Sequence, residues 1–411
     1  MRRRFVELAV VCLLASHAVL HAQEFKVLGR TVQVHGFASQ GFIYTNDNNW
    51  LTMNTSQGSA AFTDFGLNMS SHLTDKLLVG AQVYDHNLGQ LGQYHPSLDW
   101  AGADYRFKRW FGVRGGKVKT TLGLYNDTQD LDFLRPFALL PQSVYPTDVR
   151  DATIAHLGGD IYGTISLQHH LGDFSYTAYV GHRSDSIYSG YPYLLSTYIH
   201  FTSFGGLQYG GDLRWNTPIK GLQIGASRLD QDTMGKGTSV NPSNPTGGYI
   251  PYSEHSKADW TNQFYGGYTV GKLRIDSEYR RYVRDQSIFG GASGDFVDVR
   301  AWYVSGAYRI LKRLQVGSYY SRYAITELVS GVLAAEGVPP QTDTSLPRNH
   351  IYDKVVTGRV DLNRFWNLKV EGHFMNGFGM ADYPDGFYPQ QNPQGFKPDT
   401  NALVVKTSFN F

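Results

Sequence analysis

Two groups of side chains in this sequence have the types and spacing to act on a small solute. The first lies in one connecting stretch, from Asn126 to His156, where Asp127, Asp130, Asp132, Arg135, Asp148, Arg150 and Asp151 stand among Pro136, Pro141 and Pro146. Carboxylates and guanidiniums mixed over so short a span could filter ions. Asp127, Asp130 and Asp132 could also hold calcium, but their spacing lacks the glycine and terminal glutamate of a calcium loop. The second group is basic: Arg106, Lys117, Lys119, Arg214, Lys272, Arg274, Arg280 and Arg359 sit in segments where polar and apolar residues alternate. Alternation of this kind places the cations along one face of a strand.

Covalent and metal chemistry find little footing. The chain has no G-x-S-x-G elbow, no H-E-x-x-H pair, no P-loop and no cysteine pair. His169 and His170 are adjacent, so on a strand they point to opposite faces and cannot share a metal ion. An enzyme is therefore not expected, nor a metal or cofactor. A protease or lipase site assembled from scattered Ser, His and Asp residues is the competing reading.

The elements that must carry these residues are strands. Of 411 residues, 45 are Gly, 28 Tyr and 23 Phe, while charged residues make up only 18%. Disorder is excluded by a hydrophobic content of 41%. With no apolar run of about 18 residues, a bundle of spanning helices is excluded too. A membrane β-barrel is not.

Residues 1–22 open with Arg2, Arg3 and Arg4, continue through the apolar stretch Leu8 to Leu20 and end on Ala22. This is the pattern of a Sec-type signal peptide, with cleavage expected after Ala22 and Ala18 as the alternative. Cys12 falls inside it and follows Val10 and Val11 rather than a small residue, which makes it an apolar filler rather than a lipidation site. Taking Arg2, Arg3, Arg4 and Glu7 from 37 basic and 35 acidic residues leaves 34 of each, and no thiol. A neutral exported chain without cysteine is neither a disulfide scaffold nor a nucleic-acid binder.

Period-2 alternation runs from about residue 30 to the end. In Asn401 to Phe411 one face carries Leu403, Val405, Thr407, Phe409 and Phe411, and the other carries Ala402, Val404, Lys406, Ser408 and Asn410. The segments 207–216 and 272–280 split the same way. Polar faces this charged do not suit the core of a sandwich, and no helix or second sheet is at hand to cover the apolar ones. Lipid can cover them.

The alternation defines sixteen candidate strands: 30–45, 59–73, 76–86, 98–108, 110–125, 157–171, 173–183, 204–217, 220–230, 258–271, 272–284, 298–310, 313–325, 353–363, 365–378 and 400–411. Their connections alternate in length. Short ones fall near 74–75, 109, 172, 218–219, 271–272, 311–312 and 364; long ones span 46–58, 87–97, 126–156, 184–203, 231–257, 285–297, 326–352 and 379–399. Short turns on one rim and long loops on the other, with an even strand number, describe a transmembrane antiparallel β-barrel with short periplasmic turns and long extracellular loops. If the apolar stretch Tyr191 to Phe204 hides a strand pair, the count becomes eighteen. Rings near the strand ends, among them Trp100, Trp110, Trp215, Trp260, Trp302 and Trp366, suit two interfacial girdles. The chain divides into residues 1–22 as leader and 23–411 as a single barrel domain.

Parity assigns an inner wall. Besides the basic group above it holds Lys108, Arg284, Arg309, Arg313, Lys369 and Lys406, against Asp64, Asp104, Asp160, Asp212, Asp276, Glu278, Asp361 and Glu371. Fourteen cations against eight anions predict mild anion preference, offset in part by the acidic loop. Inward Tyr162, Tyr179, Tyr303 and Tyr319 leave a sugar-preferring channel as a rival.

In architecture the whole mature chain resembles the sixteen-stranded porins of Gram-negative outer membranes. The segment Phe111 to Lys119, followed by Leu122-Gly123-Leu124-Tyr125, is similar to the strand that leads into the third long loop of that family. The resemblance implies a passive diffusion channel for small hydrophilic solutes and ions, narrowed by an infolded third loop, here 126–156. It also implies a homotrimer in the bacterial outer membrane, in contact with outer-membrane lipid and lipopolysaccharide. Phe411 would be the C-terminal signal read by the outer-membrane assembly machinery. The acidic motif of general-porin third loops is not reproduced residue for residue. A plug-bearing transporter is not expected, because alternation begins within about ten residues of the mature start.

Overall fold

The computed structural model describes residues 23–411 apart from 28, 168–170, 189, 242–246, 332–338 and 380–386. Residues 1–22, expected as a leader and containing Cys12, and the His169-His170 pair therefore lie outside the described residues.

The wall is made of β2 (Arg30–Thr45), β3 (Ser59–Thr74), β4 (Leu77–Leu88), β5 (Ser97–Lys108), β6 (Phe111–Lys119), β7 (Ala155–Ser166), β8 (Asp173–Ser184), β9 (Ile199–Asn216), β10 (Leu222–Val240), β11 (Tyr249–Val270), β12 (Leu273–Ile288), β13 (Ser293–Arg309), β14 (Leu314–Ser330), β15 (His350–Asp361), β16 (Trp366–Gly377) and β17 (Asp399–Asn410). Each pairs antiparallel with the next, and β17 pairs with β2, so sixteen strands close on themselves. A short β1 (Gln23–Val27) lies along the start of β2, pairing Gln23 with Val34 and Val27 with Arg30. Closure leaves every wall strand paired on both sides, with no open edge, the condition for crossing hydrocarbon.

Alternation behaves as the sequence implies. Along β17, Ala402, Val404, Lys406 and Ser408 are buried inside while Leu403 is exposed outside. Exposed apolar residues such as Phe65, Leu67 and Met69 on β3 or Ile161 and Ile165 on β7 have only lipid to face.

Two expected loops, one strand end and the eighteen-strand alternative are corrected. The stretch 231–257 is mostly strand: β10 and β11 run 19 and 22 residues, about twice what a tilted strand needs to cross the bilayer, and stand out beyond it. In the same way β12 and β13 consume most of 285–297 and meet at the turn Phe289–Gly291. The apolar stretch Tyr191 to Phe204 contributes no extra strand pair. It forms α1 (Gly190–Leu194) and the first part of β9, with Phe201 and Phe204 packed on Tyr252 and Ile288. The wall therefore closes at sixteen strands. Residues 120–125, expected in a strand, already belong to the third long loop.

Candidate functional site: the third loop and the inner wall

The loop between β6 and β7 turns into the bore at Gly123, whose φ of +65° is open to glycine at little cost. A side chain there would collide with Gln263 and Glu278 on the opposing wall. Gly123 N donates to Ser227 Oγ at 2.9 Å and Leu124 N to Glu278 Oε2 at 3.0 Å. The base of the loop is cinched by Asn126, whose Nδ2 donates to the carbonyls of Thr120 at 2.8 Å and Thr153 at 2.7 Å. Three short 3-10 turns, Asn126–Thr128, Asp132–Leu134 and Thr147–Ala152, shape the rest.

From there the loop is tied around much of the wall. Lys119 Nζ and Gln82 Nε2 donate to Asp130 at 2.6 and 2.7 Å. Lys369 Nζ on β16 donates to Asp132 Oδ1 at 2.9 Å and to the Phe137 carbonyl at 3.0 Å, while Ser408 on β17 donates to the other oxygen of Asp132. Arg359 holds the carbonyls of Phe133 and Arg135 at 2.7 and 2.8 Å. Glu371 accepts from Ala138 N at 2.8 Å, and His373 bridges Glu371 and Asp353 behind it. Tyr145 Oη donates to Glu278 at 2.7 Å, and Arg280 donates to the Val144 carbonyl at 2.7 Å. Arg150 pairs with Asp99 at 2.8 Å and covers the Tyr84 ring at 4.3 Å. Asp148 accepts from Tyr388 at 2.6 Å.

Apolar packing supports these ties. Ala138 and Leu139 join a buried cluster with Ile43, Phe62 and Val404, Phe137 packs on Tyr319 and Val355, and Leu140, Val144 and Tyr145 pack on Ala301 and Tyr303. Inward apolar residues would be costly beside an open channel, and the loop takes them out of water.

Burial alone would raise the Asp132 carboxyl, but Lys369, Lys406 and Arg135 hold it below the usual carboxylate range. Burial pushes Asp127 and Asp148 up. Burial opposes the Arg150 charge too, yet Asp99, Tyr84 and Asp130 keep that guanidinium firmly protonated.

Of the acidic and basic loop residues singled out by sequence, Asp130, Asp132, Arg135 and Asp148 are buried against the wall, and Asp127, Arg150 and Asp151 are half-buried. Asp130 and Asp132 turn toward different strands, so the three aspartates are not gathered round one point. Arg106, Arg214, Arg274, Arg280 and Arg359 line the inner wall: Arg106 lies over the Tyr162 ring at 5.8 Å, and Arg274 pairs with Asp276 at 2.7 Å. Three basic residues assigned to the wall are elsewhere. Lys117 stands opposite Leu157, whose side chain is exposed on the outside, and its Nζ donates to the Leu98 carbonyl at 2.6 Å. It sits near the long-loop end of β6, where a lysine stem can lie on apolar surface and deliver its charge to the rim. Lys272 and Arg313 occupy exposed turns.

The sequence reading missed Arg114, Asp99 and His373. Arg114 lies directly opposite Asp104 and Asp160, a parity signal that was available. Asp99 was hidden by a bulge, since β5 slips register between the partners of Gln82 and Val83. At the short-turn rim a cavity of about 460 Å³ is lined by Phe133, Lys312, Arg313, Arg359, Asp361 and Trp366, among others. A Thr120–His156–Asp160 relay, with contacts of 3.0 and 2.8 Å, is buried at the base of the loop. Among the described residues no group of three or more His, Cys, Asp or Glu is arranged to hold a metal ion.

No family model and no curated protein matches the chain. Among solved structures it is similar to the outer-membrane protein OmpT of Vibrio cholerae, at 12% identity and a TM-score of 0.56, covering 95% of this chain and 100% of that one. The anion-selective porin from Comamonas acidovorans gives 11% identity and a TM-score of 0.55, covering 93% and 100%. Salmonella typhi OmpF, solved with daunomycin, gives 13% identity and a TM-score of 0.54, covering 95% and 100%. The fold of this chain is thus that of the sixteen-stranded outer-membrane porins.

Proposed function

We propose that this chain is an outer-membrane channel through which small hydrophilic solutes and ions diffuse passively, with mild anion preference and its constriction formed by loop 126–156. The observation that carries the reading is an asymmetry of exposure on the inner wall. Most of the carboxylates are occupied in holding the loop or pairing with neighbours: the Asp160 side chain is 1% exposed, Asp276 7% and Glu371 0%, while Asp104 at 28% and Asp361 at 21% are the wetter ones. Arginines beside them stay wet, with Arg114 at 30%, Arg214 at 27% and Arg274 at 39%. A solute therefore meets more positive charge than the residue count implies, and fixed charge lining a narrow passage biases which ions enter. The basic lining of the cavity at the short-turn rim acts in the same direction. A similar fold solved as an anion-selective porin supports the reading by analogy.

The loop's own aspartates, expected to offset this bias, mostly face the wall, so the offset is small. Of the four tyrosines that a sugar track would need, Tyr179, Tyr303 and Tyr319 are buried in packing contacts, which leaves the sugar-preferring rival without support. No chemical step is assigned, and the Thr120–His156–Asp160 relay is too buried to meet a substrate. Export by residues 1–22 and assembly as a homotrimer complete the proposal; a V. cholerae OmpT of similar fold has been solved in a trimer form.

Conductance of the purified protein in a planar bilayer tests the whole reading. Stepwise open channels whose reversal potential in a salt gradient lies on the anion side are expected. Absence of conductance, or a cation-side potential, overturns it.

A further inference from the structure

The cavity at the short-turn rim has the features of a binding site. Its volume of about 460 Å³ falls within the range of small-molecule sites, about 300–1,000 Å³, and Phe133 of the third loop forms one of its walls. Two turns and two strands position the other groups. The turn between β13 and β14 brings Lys312 and Arg313, and its backbone is held from two sides: Arg309 Nη1 donates to the Lys312 carbonyl at 3.0 Å, and Asp361 N donates to the Arg313 carbonyl at 2.8 Å. The turn between β15 and β16 brings Arg364, whose guanidinium carbon lies 4.4 Å over the Phe365 ring. From β15 come Arg359 and Asp361, and from β16 come Trp366 and Asn367.

The charges are unequally engaged. Asp361 takes Arg359 at 2.7 Å and Arg309 at 2.9 Å, and Arg359 also holds the carbonyls of Phe133 and Arg135. Lys312 and Arg313, by contrast, are exposed and enter no ion pair among the described residues. They set two positive charges at the cavity with no anion to answer them. An acceptor is unanswered as well. Asn367 stands opposite Ser408 on the inward face, is 2% exposed, and has no hydrogen-bond partner at Oδ1. Buried polar atoms without a partner are rare in folded chains, and this residue borders the cavity. Trp366 adds a flat apolar wall, its ring fixed by donation from Nε1 to Thr407 Oγ1 at 2.6 Å.

We infer that this cavity binds a hydroxylated organic phosphate, with Lys312 and Arg313 on the phosphoryl group and Asn367 Oδ1 accepting from a hydroxyl. A phosphate monoester carries about two negative charges at neutral pH, matching the two unanswered cations, whereas a single carboxylate brings one. The guanidinium fork of Arg313 suits two phosphoryl oxygens, and Lys312 adds a point charge beside it. Inorganic phosphate meets the cations and leaves the apolar walls uncovered. A neutral sugar meets the walls and Asn367 and leaves the cations unanswered. The assignment names a preferred solute for the proposed channel and rests on that reading, the site lying on the short-turn side of the loop.

The test titrates detergent-solubilised, folded protein by calorimetry with glucose 6-phosphate, and in parallel with inorganic phosphate, gluconate and glucose. Glucose 6-phosphate should bind at least about tenfold more tightly than each of the others. K312Q/R313Q, confined to an exposed turn, should weaken that binding by about tenfold or more. N367L removes the acceptor at nearly constant volume; it should weaken glucose 6-phosphate severalfold and leave inorganic phosphate where it was. Folding of each variant is read from its heat-modifiable gel band, and if N367L does not fold, K312Q/R313Q decides alone. Unaltered binding of glucose 6-phosphate in either folded variant overturns the inference, as does equal binding of inorganic phosphate, gluconate or glucose. Bilayer conductance separates the two readings. Open channels without this binding defeat the site alone, whereas binding that depends on Lys312 and Arg313 in a protein that does not conduct defeats the channel reading and leaves the site standing.

Discussion

Lys369 Nζ on β16 lies 2.9 Å from Asp132 Oδ1, an ion pair between residues 237 positions apart that fastens the third loop to the far wall. Both partners are buried, and the Lys369 side chain is fully shielded from solvent. Breaking one side of a buried pair leaves an uncompensated charge and costs about 3–5 kcal/mol. Lys369→Met is expected near the lower end of that range, because Lys406 remains 3.9 Å from Asp132 and Ser408 still donates to it. The variant should lose its folded, heat-resistant gel band at a lower temperature than wild type, and its single channels should be larger and noisier. Unchanged conductance would show that the loop holds its place without this tie.

The same pair sets a pH window. The Asp132 carboxyl is held below its ordinary range in the folded chain, so its tether is fully present above the unfolded value of about 3.9 and is lost as pH falls through the lower folded value. Conductance recorded from pH 8 down to 5 should be flat with respect to this tie, and loop release should begin only below about pH 4. A step between pH 5 and 8 that disappears in Asp148→Asn would instead assign the release to Asp148, whose carboxyl burial pushes up.

Selectivity separates the two faces of the wall. Replacing Arg114, Arg214 and Arg274 together with Gln removes partly exposed cations from the bore, and the anion-to-cation permeability ratio should fall at least about twofold. Lys117→Gln with Lys272→Gln removes equal charge per residue from the outer face and a turn, and should leave the reversal potential where it was. A shift of equal size in both variants would mean that overall charge, not lining, sets the preference.

That contrast also marks what the sequence could reveal. Strands such as β2, expected and found at 30–45, were legible because lipid on one side and loop or water on the other impose alternation along the whole crossing. Alternation fails where strands outgrow the membrane: Lys236, Gly237, Thr238 and Ser239 of β10 have no lipid to face and read as loop. Lys117 was misassigned because its charge was given more weight than its place in the odd-numbered row of Phe111 and Val113. The loop's content was visible, but its destination was not. Contacts such as Lys369 to Asp132, or Arg359 to Phe133, join segments more than two hundred residues apart, and they exist only because barrel closure sets opposing walls at a fixed distance.

Tyr145 gives a test of the loop's other anchor. Its hydroxyl donates to Glu278 and accepts from Tyr125 N at 3.1 Å, and both Tyr145 and Glu278 are buried. Removing the hydroxyl in Tyr145→Phe strips a buried carboxylate of one donor, although Tyr303 at 2.6 Å and Gln263 at 2.6 Å still donate to it. A loss of about 1–3 kcal/mol is expected, read as a lower unfolding temperature in denaturant or heat titration. Wild-type stability would show that the remaining donors satisfy Glu278 by themselves.

The seam of the barrel offers the last prediction. Phe411 N donates to the Gly36 carbonyl at 2.9 Å, Gly36 N donates to the Phe411 carbonyl at 3.2 Å, and the Phe411 ring lies over the glycine where a side chain would have to go. Closure between β17 and β2 therefore ends on a ring seated against a residue without a Cβ. Gly36→Val puts branched carbons into the space of that ring and should hinder closure, lowering the yield of heat-modifiable folded protein. Phe411→Ala opens the space but removes the ring. If the C-terminal residue also serves as a recognition signal for assembly, Phe411→Ala should reduce folded protein in outer-membrane fractions of cells more than it reduces refolding from urea into detergent. Equal losses in cells and in detergent would assign Phe411 to closing the seam alone.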